Sequence, residues 1–174
     1  MAFEFTLKFS LPLVEPDLEE LVERLGESGC DDALVGIGQA GRIGLQFTRH
    51  AQSAVAAIVS AIEDVKRAIP SARLIEVGPD FVGLTDIADI VGVSRQNMRK
   101  LMLAHTRTFP TPIHEGSASL WHLAHVLEWL VERGTYAIDA NVREVAHTAM
   151  QVNQTREATQ VPHRVQKDYR ELIS

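Results

Sequence analysis

Apolar and polar residues alternate at the start of the chain: Phe3, Phe5, Leu7, Phe9 and Leu11 take every second position, the period of a half-buried strand, and Pro12 and Pro16 close it. The period then changes. Leu18, Leu21, Val22 and Leu25 recur at helical spacing behind Asp17, a capping residue, and Gly26 and Gly29 stop this helix. Residues 33–37 and 43–48 read as two strands joined by the loop Gly38-Gln39-Ala40-Gly41, which predicts a hairpin. A long helix follows over 53–69, with Val55, Ile58, Val59, Ile62, Val65 and Ile69 on one side and Pro70 at its end. A last strand covers 73–77, with Ile75 and Val77 on one face and Gly78-Pro79 closing it. The order βαββαβ predicts a ferredoxin-like split sandwich for residues 1–80, an antiparallel sheet covered on one face by two helices.

Residues 84–103 read differently. Leu-Thr-Asp-Ile-Ala-Asp-Ile-Val, then Gly-Val-Ser, then Arg-Gln-Asn-Met-Arg-Lys-Leu-Met-Leu has the form of two short helices around a tight turn. Ala88 is the small residue at their closest approach, Gly92 tolerates the positive φ of the turn, and Ser94 caps the second helix. Ile87, Ala88, Val91, Val93, Met98 and Leu101 fall where such a pair buries side chains. Ser94, Arg95, Gln96, Arg99 and Lys100 are then left for the second helix to present outward, a set able to bond base edges and phosphates in a major groove. The plain alternative is an ordinary helical hairpin with a polar outer face. After Leu103, the two prolines, glycine and alternating apolar residues of 105–121 predict a short hairpin or wing. A third helix carries Leu123, Val126, Leu127, Leu130 and Val131, with Trp121 and Trp129 as the large core pieces.

Charge sharpens this division. The 174 residues, 45% hydrophobic, suffice for one ordinary domain or two small ones, and the net charge is −6. Residues 1–80 hold 7 Lys/Arg against 13 Asp/Glu, whereas 81–134 and 135–174 hold 5 and 5 each. The whole acidic excess therefore lies in the first segment, which is unsuited to a phosphate backbone, while no acid interrupts the stretch from Arg95 to Leu103. The single cysteine, Cys30, allows no intramolecular disulfide and no cysteine zinc cage, and a reducing cytoplasm fits best. The start Met-Ala-Phe-Glu-Phe lacks the pattern of a signal peptide, and no apolar run is long enough for a bilayer, so no membrane association is expected.

Gly83-Leu84-Thr85, Ile87-Ala88, Gly92-Val93-Ser94, Phe109-Pro110-x-Pro112 and the span Leu120-Trp121 through Trp129-Leu130 resemble the winged helix-turn-helix of the AlpA and excisionase group, which is related to the MerR DNA-binding domain. The resemblance covers residues 81–134, about a third of the chain. It implies that the second helix enters the major groove, assigning Ser94 to Lys100 to base and phosphate contacts, and that the wing at 114–119, including His114 and Ser117, rests on the adjacent backbone. Two departures stand out: Thr106-Arg107-Thr108 precedes Phe109 where a glycine is usual, and Ser117 and Ser119 stand where a basic residue is common.

Other motifs carry less chemistry. Gly36-x-Gly38-x-x-Gly41 matches a dinucleotide fingerprint as a string, but a strand follows it where that fingerprint needs a helix, so these are read as hairpin residues. His122 and His125 are placed on one helix face, where a metal would need a third ligand from elsewhere; solvated or backbone-bonded histidines are the simpler reading. Asp31-Asp32 and Glu63-Asp64 point apart in regular structure and make no acid/base pair. Cys30 reads as a small apolar residue. No catalytic constellation, cofactor or metal is expected.

In the last segment, 135–174, Ile138, Val142, Val145, Ala149 and Val152 form a helical stripe that either folds back on the first domain or pairs with its own copy. The dimer is the preferred alternative, since one such reader covers only a few base pairs. Val161-Pro162 breaks the pattern ahead of a short helix or loose tail. The expected protein is thus an α+β chain: a sandwich at 1–80 for sensing, dimerisation or docking of a protein or small ligand, then a winged helix-turn-helix at 81–134. The expected function is sequence-specific binding of double-stranded DNA as a dimeric bacterial transcriptional regulator. Arg95, Arg99, Lys100 and Arg107 would hold phosphates while Gln96, Asn97 and one of the arginines discriminate bases. The alternatives are an excisionase-like DNA-bending accessory protein and an adaptor that uses the same fold for protein contacts.

Overall fold

A computed structural model describes residues 1–12 and 17–174; Pro16, expected to help close the first strand, lies outside the described residues. The chain is α+β. Its first part runs β1 (Ala2–Ser10), α1 (Leu18–Glu27), β2 (Ala33–Gly36), β3 (Arg42–His50), α2 (Ala54–Ala68) and β4 (Arg73–Gly78). The strands form one antiparallel sheet in the order β2-β3-β1-β4. Alternation along β1 buries Phe3, Phe5, Leu7 and Phe9 on one face, and across the β1/β3 ladder Phe5 stacks on its register partner Phe47 at 5.2 Å between ring centroids. The opposite face, with Glu4, Lys8, Gln46 and Thr48, is exposed.

Three expectations for this sheet and its helices need correction. Ile75 and Val77 do not share a face: a register shift between Lys8 and Phe9 pairs Leu74 with Phe9 and Val77 with Leu7, so Leu74 takes the core position and Ile75 sits at the irregularity. In α2 the buried side is Ala54, Ala57, Ile58, Ala61, Val65 and Ala68, leaving Val55 and Val59 exposed. The alanines suit a helix packed against neighbours on both sides, α1 and the helix over 140–158, where large side chains would hold it off. The glycine that breaks α1 is Gly29, at φ +102°; Gly26 lies inside the helix.

The second part holds β5 (Phe81–Val82), α3 (Leu84–Val91), α4 (Arg95–Ala104), β6 (His114–Glu115), β7 (Ser119–His122) and α5 (Leu123–Arg133). The three strands make an antiparallel sheet in the order β5-β7-β6. β5 has no periodic signal in two residues; Val82 and Phe81 become strand because Trp121 and His122 offer them a ladder. A separate core forms here around Ile87, Ala88, Met98, Leu123, Leu127 and Leu130. Phe109 lies edge-on to both Trp121 and Trp129, at 5.9 and 5.0 Å between centroids, and Trp121 Nε1 donates to Pro110 O at 2.9 Å.

The last part is α6 (Ala140–Ala158) and α7 (His163–Ile173). α6 settles the choice left open by its apolar stripe. Val145 and Ala149 enter the first core while Ala146 and Met150 enter the second, so the stripe folds back within the chain and is not free to pair with a copy. The sheet is thereby covered by three helices where two were expected.

Polar groups pin α6 at both ends. Asn141 Nδ2 donates to Ala2 O at 3.2 Å, and Glu144 Oε1 accepts from Ala54 N at 2.8 Å, joining Ser53 in capping α2. At the junction of the two cores Asn153, Asp80 and His122 are all buried. Asn153 Oδ1 accepts from Val77 N at 2.9 Å, its Nδ2 donates to Val77 O and to Asp80 Oδ2, each at 2.8 Å, and Asp80 Oδ1 lies 2.7 Å from His122 Nδ1. Buried polar atoms are tolerable only when paired, and these are paired with one another.

A second cluster locks the first core. Arg49, buried at the end of β3, directs Nε and Nη2 to Asp32, Nη1 to Asp64 and Ser60, and Nη2 also to Gly29 O, at 2.6 to 3.1 Å. All five guanidinium N–H groups are thus used, and the hydrogen bonds that Arg49 donates to Asp32 push its pKa further up. Beside this cluster Cys30 is buried, and desolvation raises its thiol from 9.0 to about 11, with Asp64 adding to the shift. No helix among the described residues is long and apolar enough to cross a membrane.

Candidate nucleic-acid interface

The turn between α3 and α4 is built by three residues. Gly92 adopts φ +79°, a left-handed conformation that favours glycine, and its N–H bonds back to Ala88 O at 2.9 Å; Val93 N bonds the same oxygen at 2.9 Å. Ala88 is buried between the helices. Ser94 is the cap rather than the first helical residue: its Oγ accepts from Asn97 N at 3.1 Å, which leaves its own O–H as a donor.

With Met98 buried and Leu101 and Met102 half-buried, the remaining face of α4 carries Arg95, Gln96, Asn97, Arg99 and Lys100, all exposed. Among the described residues no carboxylate pairs with Arg95, Arg99 or Lys100. That contrasts with Arg49 and Arg67, whose charges are committed to Asp32 and Asp64. Free cations on one helix face retain their full interaction for an outside anion.

Between α4 and the β6/β7 hairpin lies a cleft of about 790 Å³. The fold brings Arg95 and Arg99 from α4 and Ser117 from the hairpin turn to its walls, together with Thr85, Thr106 and Thr111. Asp86 and Glu115 line it too; Asp86 Oδ2 is occupied in part by Gly83 N at 2.9 Å, at the start of α3. Gln96, Asn97 and Lys100 stand outside the cleft on the same helix, and Arg107 is exposed on the turn after α4. His114 also lies outside the cleft walls, its Nε2 2.6 Å from where a Cβ on Gly116 would sit, so the ring folds over the hairpin turn.

Thr106 and Thr111 reach the cleft because 105–112 wraps the end of α4, held by Phe109 against the tryptophans, and Thr85 reaches it from the first turn of α3. The histidine pair also resolves differently from expectation. His122 ends β7 with its Nδ1 against Asp80, while His125 is exposed on α5 with its ring centroid 5.5 Å from that of His122. Among the described residues no group of His, Cys, Asp and Glu is arranged to hold a metal. Comparison with protein families, with curated proteins and with solved structures finds no match to this chain.

Proposed function

We propose that the chain binds double-stranded DNA in a sequence-specific manner, as a homodimeric transcriptional regulator. In this reading 81–134 is a winged helix-turn-helix, α4 is the major-groove reader and the β6/β7 hairpin is the wing; 1–80 is a ferredoxin-like sandwich serving as sensor or docking module. The observation that carries it is the row of Arg95, Arg99 and Lys100, exposed and without carboxylate partners on the outer face of a helix capped by Ser94. Those cations supply phosphate attraction, and Gln96 and Asn97 between them supply donors and acceptors for base edges. The arginines on one wall of the cleft and Ser117 on the other support simultaneous contact by helix and hairpin.

One observation favours a second reading. Asp86 and Glu115 share the cleft with Arg95 and Arg99, a balance of charge that suits a protein segment better than a phosphate strand. Selection of genomic fragments by the purified protein at near-physiological salt separates the two. Recovery of one sequence supports the regulator; recovery of nothing above background overturns DNA binding and leaves the adaptor.

A further inference from the structure

We infer that α7 of one copy docks along α1 of a second copy, and that the exchange is reciprocal. This deepens the homodimeric part of the reading above, and it rests on two surfaces that match in shape and charge.

The first surface is α7. It fully buries no residue, and of the stripe Val165, Tyr169, Leu172 and Ile173 only Val165 is half-buried: Leu172 is 81% and Ile173 82% exposed. At 3.6 residues per turn Arg170, with Lys167 beyond it, lies along one side of that stripe, and Asp168 and Arg164 lie along the other. The turn into α7 is held by Gln166, whose Nε2 donates to Val161 O at 2.8 Å, so the helix leaves α6 in a set direction.

The second surface is α1. Leu21 and Leu25 point into the core, and one step around the helix Leu18 and Val22 are exposed, in line with Gly26. A Cβ at Gly26 would meet nothing within 4 Å, so the strip ends in open space where a second helix can approach closely. Beside the strip runs a row of carboxylates at four-residue spacing, Glu19, Glu23 and Glu27, all exposed.

The two helices have 10 and 11 residues, about 15 Å each at 1.5 Å per residue. An apolar stripe with one basic edge thus faces an apolar strip with one acidic edge of the same length. Within one copy both remain exposed, so they do not meet there. A phosphate backbone would take the arginines and leave Leu172 and Ile173 in water. A second copy satisfies both surfaces at once, and a two-fold axis repeats the contact.

Sedimentation velocity on the full chain without DNA tests this apart from DNA binding. A dimer is expected within about 1 to 100 µM. Leu172→Asp with Ile173→Asp should weaken it at least about tenfold, and because neither side chain is buried the thermal melt of the monomer should be unchanged. Lys167→Glu with Arg170→Glu in one preparation, and Glu19→Lys with Glu23→Lys in another, should each weaken self-association, and mixing the two should restore a dimer. A wild-type chain that stays monomeric throughout, or a dimer indifferent to the Leu172 and Ile173 changes, overturns the proposal. Dimerisation by this route without any DNA binding would leave it standing while removing the regulator.

Discussion

The carboxamide of Asn153 bonds both backbone groups of Val77, accepting from its N–H at 2.9 Å and donating to its C=O at 2.8 Å. β4 is an edge strand, and an edge strand presents unpaired backbone groups. At Val77 a side chain from α6 takes the place that a further strand would occupy. The same Nδ2 reaches Asp80, and Asp80 reaches His122, so the edge of the first sheet is tied through α6 to the second core.

Asn153→Ala should therefore act beyond the loss of one side chain. It leaves buried donors and acceptors of Val77 and a lone pair of Asp80 unmet, and stability in urea should fall by about 3 kcal/mol. Both cores should lose protection from hydrogen exchange together, because α6 belongs to each. Loss confined to one core would contradict this role for Asn153.

Arg49→Ala should cost about 3 kcal/mol by thermal or denaturant unfolding, since Asp32 and Asp64 then face each other without the cation between them. Arg49→Lys should recover only part of that. A lysine ammonium is a point charge and cannot fork to Asp32 while also reaching Ser60 and Gly29.

Cys30 makes stability fall at alkaline pH. Its thiol is raised in the folded state from 9.0 to about 11, chiefly by burial, so the folded chain holds this proton more tightly than the unfolded chain does. The contribution is fully present below pH 9 and is lost as pH rises towards 11. Unfolding free energies of the wild type and Cys30→Ala, measured side by side, should diverge in slope over that window. Alkylation of Cys30 in the native protein at pH 8 should be correspondingly slow, and equal rates in native and unfolded chains would refute its protection.

For DNA, Arg99→Ala should weaken binding to a selected site by about 1–3 kcal/mol in a gel shift. If Arg99 holds a phosphate, the slope of log affinity against log salt should also drop by about 1. An unchanged affinity removes Arg99 from the interface.

Much of the local structure was legible because its causes are local. Alternation along 3–11 forecasts β1, and the spacing of Ile87, Ala88, Met98 and Leu101 forecasts two packed helices. Gly92 and Ser94 could be assigned to turn and cap because a positive φ and an N-cap each select a few residue types. The exposed face of α4 followed by subtraction once the buried face was known. Less legible was α2, where two valines outweighed alanines in the pattern and yet lie exposed. A periodic stripe says that a face is apolar and leaves open how closely neighbours approach it.

Within the chain order, then, the period of apolar positions and the special backbone needs of Gly92 and Ser94 were sufficient for the type of β1, α1 and the α3/α4 pair and for the placement of Arg95, Arg99 and Lys100, but not for β5. Tertiary packing alone decided where the α6 stripe goes, which threonines reach the cleft, and that Arg49, Asp32 and Asp64 form one cluster. Asn153, Val77, Asp80 and His122 meet for the same reason. Their bonds span 73, 76 and 42 positions, and a hydrogen bond between distant residues has no periodicity to announce it. Such groups pair because burial makes an unmet donor or acceptor costly, and burial exists only once the chain has closed around them.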